Sequence, residues 1–372
     1  MPDAQTSAND FPLFDLAGSA EDIGLAYGRQ AGDYVQRSIA IYRTAFLQKG
    51  VSWERARQVA RDFAPQIERY HPAFFAEIRA IARGAEVPFE DIVAINARTE
   101  LLYGQRPVVP KAPEADTDGC TGAIALPEAT ANGHTLHGQN WDWRDECADS
   151  SVVLRIRPAE GLPMLIFVEA GILARCGLNA AGVAITGNFL QTDHDYGLPG
   201  VPVPFIRRRV LMSQTLGEAI RVVFAAPRAF ANNLMISQSD GEAVDLEATP
   251  DEVFWLQPED GVLVHANHFI SQGALAKVKD VGLTTNTDSL YRDRRVRQYL
   301  RQRAGNLTVD DFKAAFADRY GSPRAVCRSP VTGPGGKTSS TVATIVMDTT
   351  DRRMWIARRP YGPHHFTEYS LE

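Results

Sequence analysis

The strongest constraint on the fold is a change of rhythm at Gly119-Cys120. Before it, apolar residues recur at three- and four-residue spacing, as Ile23, Ala26, Tyr27, Ala31, Tyr34, Val35 and Ile39 do, which predicts helices. After it, short apolar runs alternate with turn pairs such as Asn132-Gly133 and Asp240-Gly241, which predicts strands joined by tight turns. A block of helices followed by antiparallel strands, with no alternating strand-helix rhythm, defines an α+β chain.

The helical block divides into residues 19–50, 52–71, 73–82 and 88–102, with Gly84 and Pro88 punctuating the last join. Residues 105–117 carry Pro107, Pro110 and Pro113 and read as an irregular surface connection, where cutting the chain is tolerated. A first strand set is expected at 121–126, 134–143, 151–156, 164–168 and 182–186. A helix over 204–224 separates it from a second set at 233–238, 243–248, 252–256 and 262–266. Helices at 291–303 and 309–319 precede a closing hairpin, 340–347 with 353–357.

At 372 residues the chain can bury a large core. Its 44% hydrophobic and 23% charged residues favour neither a disordered nor a membrane class. A formal charge of -6 with scattered basic residues gives no footprint for nucleic acid. Residues 1–10 lack the pattern of a secretory signal and no apolar run is long enough to span a bilayer, so the expectation is a cytoplasmic protein. The four cysteines, Cys120, Cys147, Cys176 and Cys327, form no metal or disulfide spacing.

Cys120 stands where a flexible connection meets a strand, an unusual place for a structural thiol and a suitable one for a nucleophile that becomes a new N-terminus. Cutting between Gly119 and Cys120 would put a thiol and an α-amine on one residue. A thiol of pKa about 8.5 is mostly protonated at neutral pH, whereas an α-amine of about 7.7 to 8.0 can take its proton. One residue then supplies both nucleophile and base, as in the threonine and N-terminal amine pairing. Gly119 suits the cut because a residue without Cβ lets the thiol approach its carbonyl. A free, half-buried cysteine after a loop is the alternative.

Other groups are candidates around it. Asp142, at the end of a strand expected to pair beside Cys120, could orient the amine, and Trp141 and Trp143 flank it as pocket walls. Asn267, in His265-Ala266-Asn267-His268, could donate to a developing oxyanion. Asn188 could lend its backbone N–H to the same hole, or be a turn residue. Gly177 to Gly182 reads as a tight turn. Arg328 and Lys337 could pair with Asp142 or hold a substrate carboxylate. Arg207, Arg208 and Arg209, on the helix expected after Pro204, could face a substrate carboxylate or solvent, and solvent is the commoner fate of such charges. The histidine pairs have spacings that suit no metal, and no cofactor is implied.

Four motifs stand in register with a known family. Asp118-Gly119-Cys120-Thr121, Gly138-Gln139-Asn140-Trp141-Asp142, Glu169-Ala170-Gly171-Ile172 and His265-Ala266-Asn267-His268 resemble the acyl-coenzyme A:6-aminopenicillanate acyltransferases, in the family's order. Upstream, Glu77-Ile78-Arg79, Gly84-Ala85-Glu86 and Asn96-Ala97-Arg98-Thr99-Glu100 resemble that family's precursor segment. The resemblance implies an N-terminal nucleophile hydrolase, a four-layer αββα sandwich of two antiparallel sheets that cuts itself before Cys120. Residues 1–119 would stay bound as a small subunit and 120–372 form the large one, together one domain. Carried across, Cys120 is the nucleophile with Thr121 beside it, Asp142 adjoins it, and Asn267 helps hold the oxyanion, with Asn188 near the same hole.

Thr121-Gly122 stands where penicillin-making members carry two hydroxyl residues, and Lys337 where they carry an arginine, so penicillin side-chain exchange is not implied. The expected activity is hydrolysis of linear amides, namely N-acyl amines, N-acyl amino acids or short peptides, through a Cys120 thioester. Three alternatives stand beside it: acyl transfer from a thioester or amide to an amine, a cysteine hydrolase with His265 or His268 as base, and a scaffold that never matures. The expected partners are a small amide or acyl donor and the chain's own two subunits, with oligomerisation open and neither nucleic acid nor membrane involved.

Overall fold

The computed structural model describes residues 10–104, 119–195, 200–362 and 365–372. The connection expected at 105–117, with Asp118 and His364, lies outside the described residues. Strand β1 (Leu13–Gly18) precedes six helices: α1 (Ala20–Gln30), α2 (Gly32–Gln48), α3 (Trp53–Tyr70), α4 (Pro72–Gly84), α5 (Phe89–Asn96) and α6 (Arg98–Tyr103). Ser19 and Asp22 cap α1 reciprocally. The helices expected at 19–50 and 88–102 each break in two, at Ala31 and Ala97.

Strands β2 (Gly119–Ala125), β3 (Leu136–Arg144), β4 (Ser151–Pro158), β5 (Met164–Glu169), β6 (Cys176–Asn179) and β7 (Ala184–Thr186) follow. Helices α7 (Val203–Val210) and α8 (Leu216–Ala225) replace the single helix expected at 204–224. Then come β8 (Asn232–Gln238), β9 (Glu242–Ala248), β10 (Val253–Leu256) and β11 (Val262–His265), and helices α9 (Gln272–Lys277), α10 (Ser289–Arg301) and α11 (Val309–Phe316). Strands β12 (Val331–Thr332), β13 (Thr338–Asp348), β14 (Arg353–Arg358) and β15 (Thr367–Ser370) close the chain.

The two strand sets read from the sequence are not the two sheets. One sheet has the order β1-β4-β5-β6-β7-β8-β9-β10, the other β11-β2-β3-β13-β14-β15 with β12 on β13. Strand β1 runs parallel to β4, so the first sheet is not purely antiparallel. Residues 177–179 are strand, pairing with both β5 and β7, and only the end of the segment read as a turn is one.

Side chains alternate across each strand, and the buried residues sort into three interiors. Val152, Leu154, Ile156, Ile166 and Val168 point from the first sheet to Ile78, Ile81, Ile92 and Ile95 of the helical block. Their neighbours Val153, Leu165 and Phe167 point the other way and meet Trp141, Val342, Ile345, Met347 and Ile356 of the second sheet. Ala123, Leu136, Val264 and Val346 leave the far face of that sheet to pack on Val296, Leu300, Phe312 and Phe316 of α10 and α11. The result is helix, sheet, sheet, helix: an αββα sandwich.

The helical block joins this sandwich through a core-like contact, in which each buried Ile or Leu contributes about 1.5–3 kcal/mol. Within the block, α1 and α4 approach closely because glycines face the contact. A Cβ on Gly28 would lie 2.3 Å from the Ile81 carbonyl oxygen, and one on Gly84 2.5 Å from that of Leu25.

Candidate active site

The register of β2 explains why its first residues are surrounded by polar groups. Pairing with β3 sets Cys120 opposite Trp141 and Gly119 opposite Asp142. On its other side β2 pairs with β11, His265 opposite Gly122. Two residues further along, Asn267 therefore falls opposite Cys120, just where β11 has ended and its side chain can turn inward. The Cys120 backbone N–H donates to Asn267 Oδ1 at 2.6 Å.

Asn267 faces Cys120 with its oxygen, not with the amide N–H expected from the sequence. Two donors converge on that atom, Cys120 N–H and Arg292 NH2 at 2.9 Å, so it must be an acceptor. The amide nitrogen is turned to the Phe189 carbonyl, 2.9 Å away.

Arg292, on the first turn of α10, was not singled out in the sequence. Its NH1 donates to the Cys120 carbonyl at 2.6 Å and to Thr121 Oγ1 at 2.9 Å, which accounts for Thr121, and its Nε donates to Asp288 at 2.8 Å. Arg328 continues the series, with Nε 3.0 Å from Asp142 Oδ2 and NH2 on Asp288. Thr341 Oγ1 donates to the other Asp142 oxygen at 2.6 Å, beside a bulge in β13 between Thr341 and Ala343. Asp142, Arg328, Asp288 and Arg292 are all buried and alternate in sign. Burial pushes the Asp142 carboxyl up to about 6 against the pull of Arg328 and Arg292.

A cleft opens on the other side of the cysteine, lined by Cys120, Trp141, Trp143, Arg98, Arg175 and Arg207, among others. Arg175 lies over the Trp141 ring at 4.1 Å, donates NH1 to Gln139 Oε1 at 2.9 Å, and holds NH2 3.9 Å from Cys120 Sγ. Burial pushes the Cys120 thiol up, and the Arg175 guanidinium pulls it back down. Arg207 is buried rather than turned to solvent, and Arg208 pairs with Glu77 at 3.3 Å; Arg209 stacks on Tyr70. The signal for Arg175 was a charge inside the apolar run Ile172 to Leu178. For Arg292 it was Asp288 four residues earlier.

The remaining candidates sit apart from the thiol. Asn188 gives its backbone N–H to the Asn233 carbonyl at 3.1 Å, and its side chain bonds Gln139, Asn233 and the His265 carbonyl, so it has no donor left for an oxyanion. Its neighbours Gly187 and Phe189 line the cleft instead. Lys337 lies over Trp143, with Nζ 5.4 Å from the ring centre. Neither His265 nor His268 lines the cleft. Burial lowers His265, but the carboxylates of Asp245 and Glu247 outweigh it and push it up to about 9, while burial brings His268 down to about 4. His134, Asp348 and Asp351 gather at the β13–β14 turn, where Asp348 already caps the Thr350 and Asp351 N–H groups.

Helices of the first segment brace the cleft wall. Arg98 pairs with Glu169 at 2.9 Å, and Asn96 bonds the Gly171 carbonyl and the Leu173 N–H. An αββα sandwich with a cysteine at the start of an inner strand, its backbone N–H held by a side-chain oxygen, is the N-terminal nucleophile hydrolase arrangement. A family profile described as acyl-coenzyme A:6-aminopenicillanic acid acyl-transferase matches residues 129–359, and the chain belongs to that family. It is 29% identical over 354 residues to the acyl-coenzyme A:6-aminopenicillanic-acid-acyltransferase 40 kDa form of Emericella nidulans, covering 93% of this chain and 92% of that protein.

Among solved structures, a mutant conjugated bile acid hydrolase from Clostridium perfringens aligns at 14% identity and a TM-score of 0.46, over 67% of this chain and 92% of that one. Penicillin V acylase from Agrobacterium tumefaciens aligns at 19% and 0.44, over 64% and 83%. Among the described residues, no helix is long and apolar enough to cross a membrane.

Proposed function

We propose that this chain is a self-processing cysteine amidohydrolase that acts on small linear amides through a Cys120 thioester. The observation that carries the reading is the pairing of a thiol in a cleft with its own backbone nitrogen, held 2.6 Å from Asn267 Oδ1. In the first step Sγ attacks the Gly119 carbonyl carbon, the Gly119-Cys120 amide bond breaks, and the nitrogen takes up the thiol proton. Water then hydrolyses the resulting thioester, leaving a carboxylate on Gly119 and a free α-amine on Cys120. Asn267 Oδ1 stays beside that amine as acceptor.

In turnover the amine accepts the thiol proton and Sγ attacks the substrate carbonyl. The leaving amine departs with that proton, and water resolves the thioester to acid. Asp142 and Arg328 orient the start of β2, and Arg292 fixes the Cys120 carbonyl so that the amine cannot swing away. Residues 1–119 and 120–372 remain together as two subunits of one domain, which the shared core supports. A second reading has an amine take the place of water, making the enzyme an acyltransferase; family membership and the relative's name favour it.

Intact mass under denaturing conditions tests the first step. Wild type is expected as two fragments meeting at Gly119-Cys120, and Cys120→Ala as one uncut chain. A single full-length wild-type chain, fully folded and stable over days, would sink the proposal. A matured protein that hydrolyses no amide but transfers acyl groups to amines would select the second reading.

A further inference from the structure

We infer that the cleft beside Cys120 is an anion subsite in which Arg207, together with Arg175, receives a carboxylate carried by the substrate. This deepens the amidohydrolase reading and rests on it for what the carboxylate is attached to.

The first support is an unbalanced charge. Arg175 and Arg207 are 3% and 5% exposed, and among the described residues neither has a carboxylate within salt-bridge distance. Their fixed partners are neutral amide oxygens, Gln139 for Arg175 and Asn232 at 2.8 Å for Arg207. The Nε–H of each is buried with no acceptor. A buried charge is ordinarily paired, and a buried donor without an acceptor is destabilising. Two such donors on residues lining one cleft mark the place of a missing acceptor.

The second support is the electrostatic surroundings. Burial and the neighbouring cations Arg175 and Arg98 push the Arg207 guanidinium down to about 9. An arginine does not give up its proton in a protein, so the strain is relieved by an anion and not by titration. Glu100, an acidic group that feels the charge of Arg207, is itself pushed up to about 7 by burial, so it is a poor standing counter-ion. Arg98 is already matched to Glu169 and contributes field, not a grip.

The third support is space. Gly187 has no side chain to fill the cleft; a Cβ there would lie 2.5 Å from Arg207 NH2. The cleft leaves about 50 Å³ for the centres of water molecules, room for a few waters or a carboxylate. A guanidinium edge presents two parallel N–H donors, the geometry that grips a carboxylate.

The test does not depend on knowing the substrate. The matured enzyme is alkylated with iodoacetate and with iodoacetamide, and carboxymethylation or carbamidomethylation of Cys120 is followed by peptide mass. In both reactions the thiolate sulfur displaces iodide from carbon, so the ratio of the two rates cancels the reactivity of the thiol itself. The ratio is expected at least tenfold above that of an unstructured peptide with an N-terminal cysteine. Arg207→Met should return it toward the peptide value and Arg207→Lys should keep part of it. A wild-type ratio equal to the peptide's overturns the subsite, whether or not either variant folds.

Matched amides then locate the carboxylate. N-hexanoylglycine against N-hexanoylglycinamide puts it on the amine side, and glutaryl-4-nitroanilide against butyryl-4-nitroanilide on the acyl side. A tenfold preference in kcat/KM for the anion in either pair, lost in Arg207→Met, supports the subsite, and equal rates within both pairs overturn it. A raised iodoacetate ratio with no hydrolysis of any of the four supports the anion subsite while counting against the amidohydrolase reading.

Discussion

Cys120 has buried arginines on both sides, and the two sides are built differently. Towards α10, Arg328 and Arg292 alternate with Asp142 and Asp288, so every buried cation touches a buried carboxylate. Towards the cleft, Arg175 and Arg207 bond amide oxygens, and among the described residues neither meets a carboxylate. Matched charges hold geometry, here the nitrogen and carbonyl of one residue and the amide of Asn267. Unmatched charges are a cost in the empty protein, kept where a ligand can repay it. The same residue type thus does two jobs within one site, and the difference is legible from its counter-ions.

Stability should separate the two sides most sharply. In the uncut Cys120→Ala background, Arg292→Met removes one member of the matched series and leaves Asp288 with less compensation. The expected cost is about 3–5 kcal/mol. Arg207→Met in the same background removes an unpaired buried charge and should be neutral or stabilising. Urea unfolding of the two variants measures both. Equal losses would mean that Arg207 is as structural as Arg292, and the contrast would fall.

A carboxylate in the matched series has a pH signature. The usual Asp value is near 3.8, and Asp142 is pushed up to about 6 by burial. Its folded form therefore binds a proton more tightly than its unfolded form. That contribution is fully present below about pH 3.8 and lost as pH rises through about 6, a change of about 3 kcal/mol. Asp142→Asn cannot titrate, so wild-type stability minus variant stability should fall between pH 4 and 7. A flat difference would show that Arg328 and Arg292 hold the carboxylate ionised across the whole range, a tighter pairing than burial permits.

Much of this was readable in the sequence, and what was not has physical causes. Helical spacing and turn pairs located most elements, because amphipathic periodicity survives wherever one face is buried. Strand β6 was read as a turn because Gly177 and Asn179 are turn formers, yet pairing on both edges overrides that local preference. The sorting of strands into sheets was not legible, since it depends on long-range pairing such as β11 beside β2. At the site, Cys120, Asp142 and Asn267 were marked by motif and strand position, and Arg328 as a cation able to pair with Asp142. Arg292 was hidden among the basic residues of α10, where a charged helix reads as a solvated face. Arg207 was legible as a cation that could face a substrate carboxylate or solvent, but its burial was not. Local sequence does not report that a charge is buried by distant elements, and both arginines depend on that.

Two glycines offer the finest test, because each sits against one of the two arginine groups. A Cβ on Gly119 would lie 2.7 Å from Arg328 NH2 and 2.9 Å from Arg292 NH2, guanidinium ends that Asp288 holds in place and that cannot easily yield. Gly119→Ala should strain the uncut chain by about 1–3 kcal/mol and slow self-cleavage, measured as the uncut fraction against time. Once cut, its iodoacetate ratio should match wild type, since the added methyl presses on Arg328 and Arg292 and not on Arg207 or Arg175. A Cβ on Gly187 would press on Arg207 NH2 and, at 2.7 Å, on the Asn233 carbonyl oxygen. Gly187→Ala should carry a similar strain, cut at the wild-type rate, and lose the anion preference. If instead both alanines slow cleavage and both lower the ratio, the matched and unmatched arginines move as one unit, and the division of labour across Cys120 is not real.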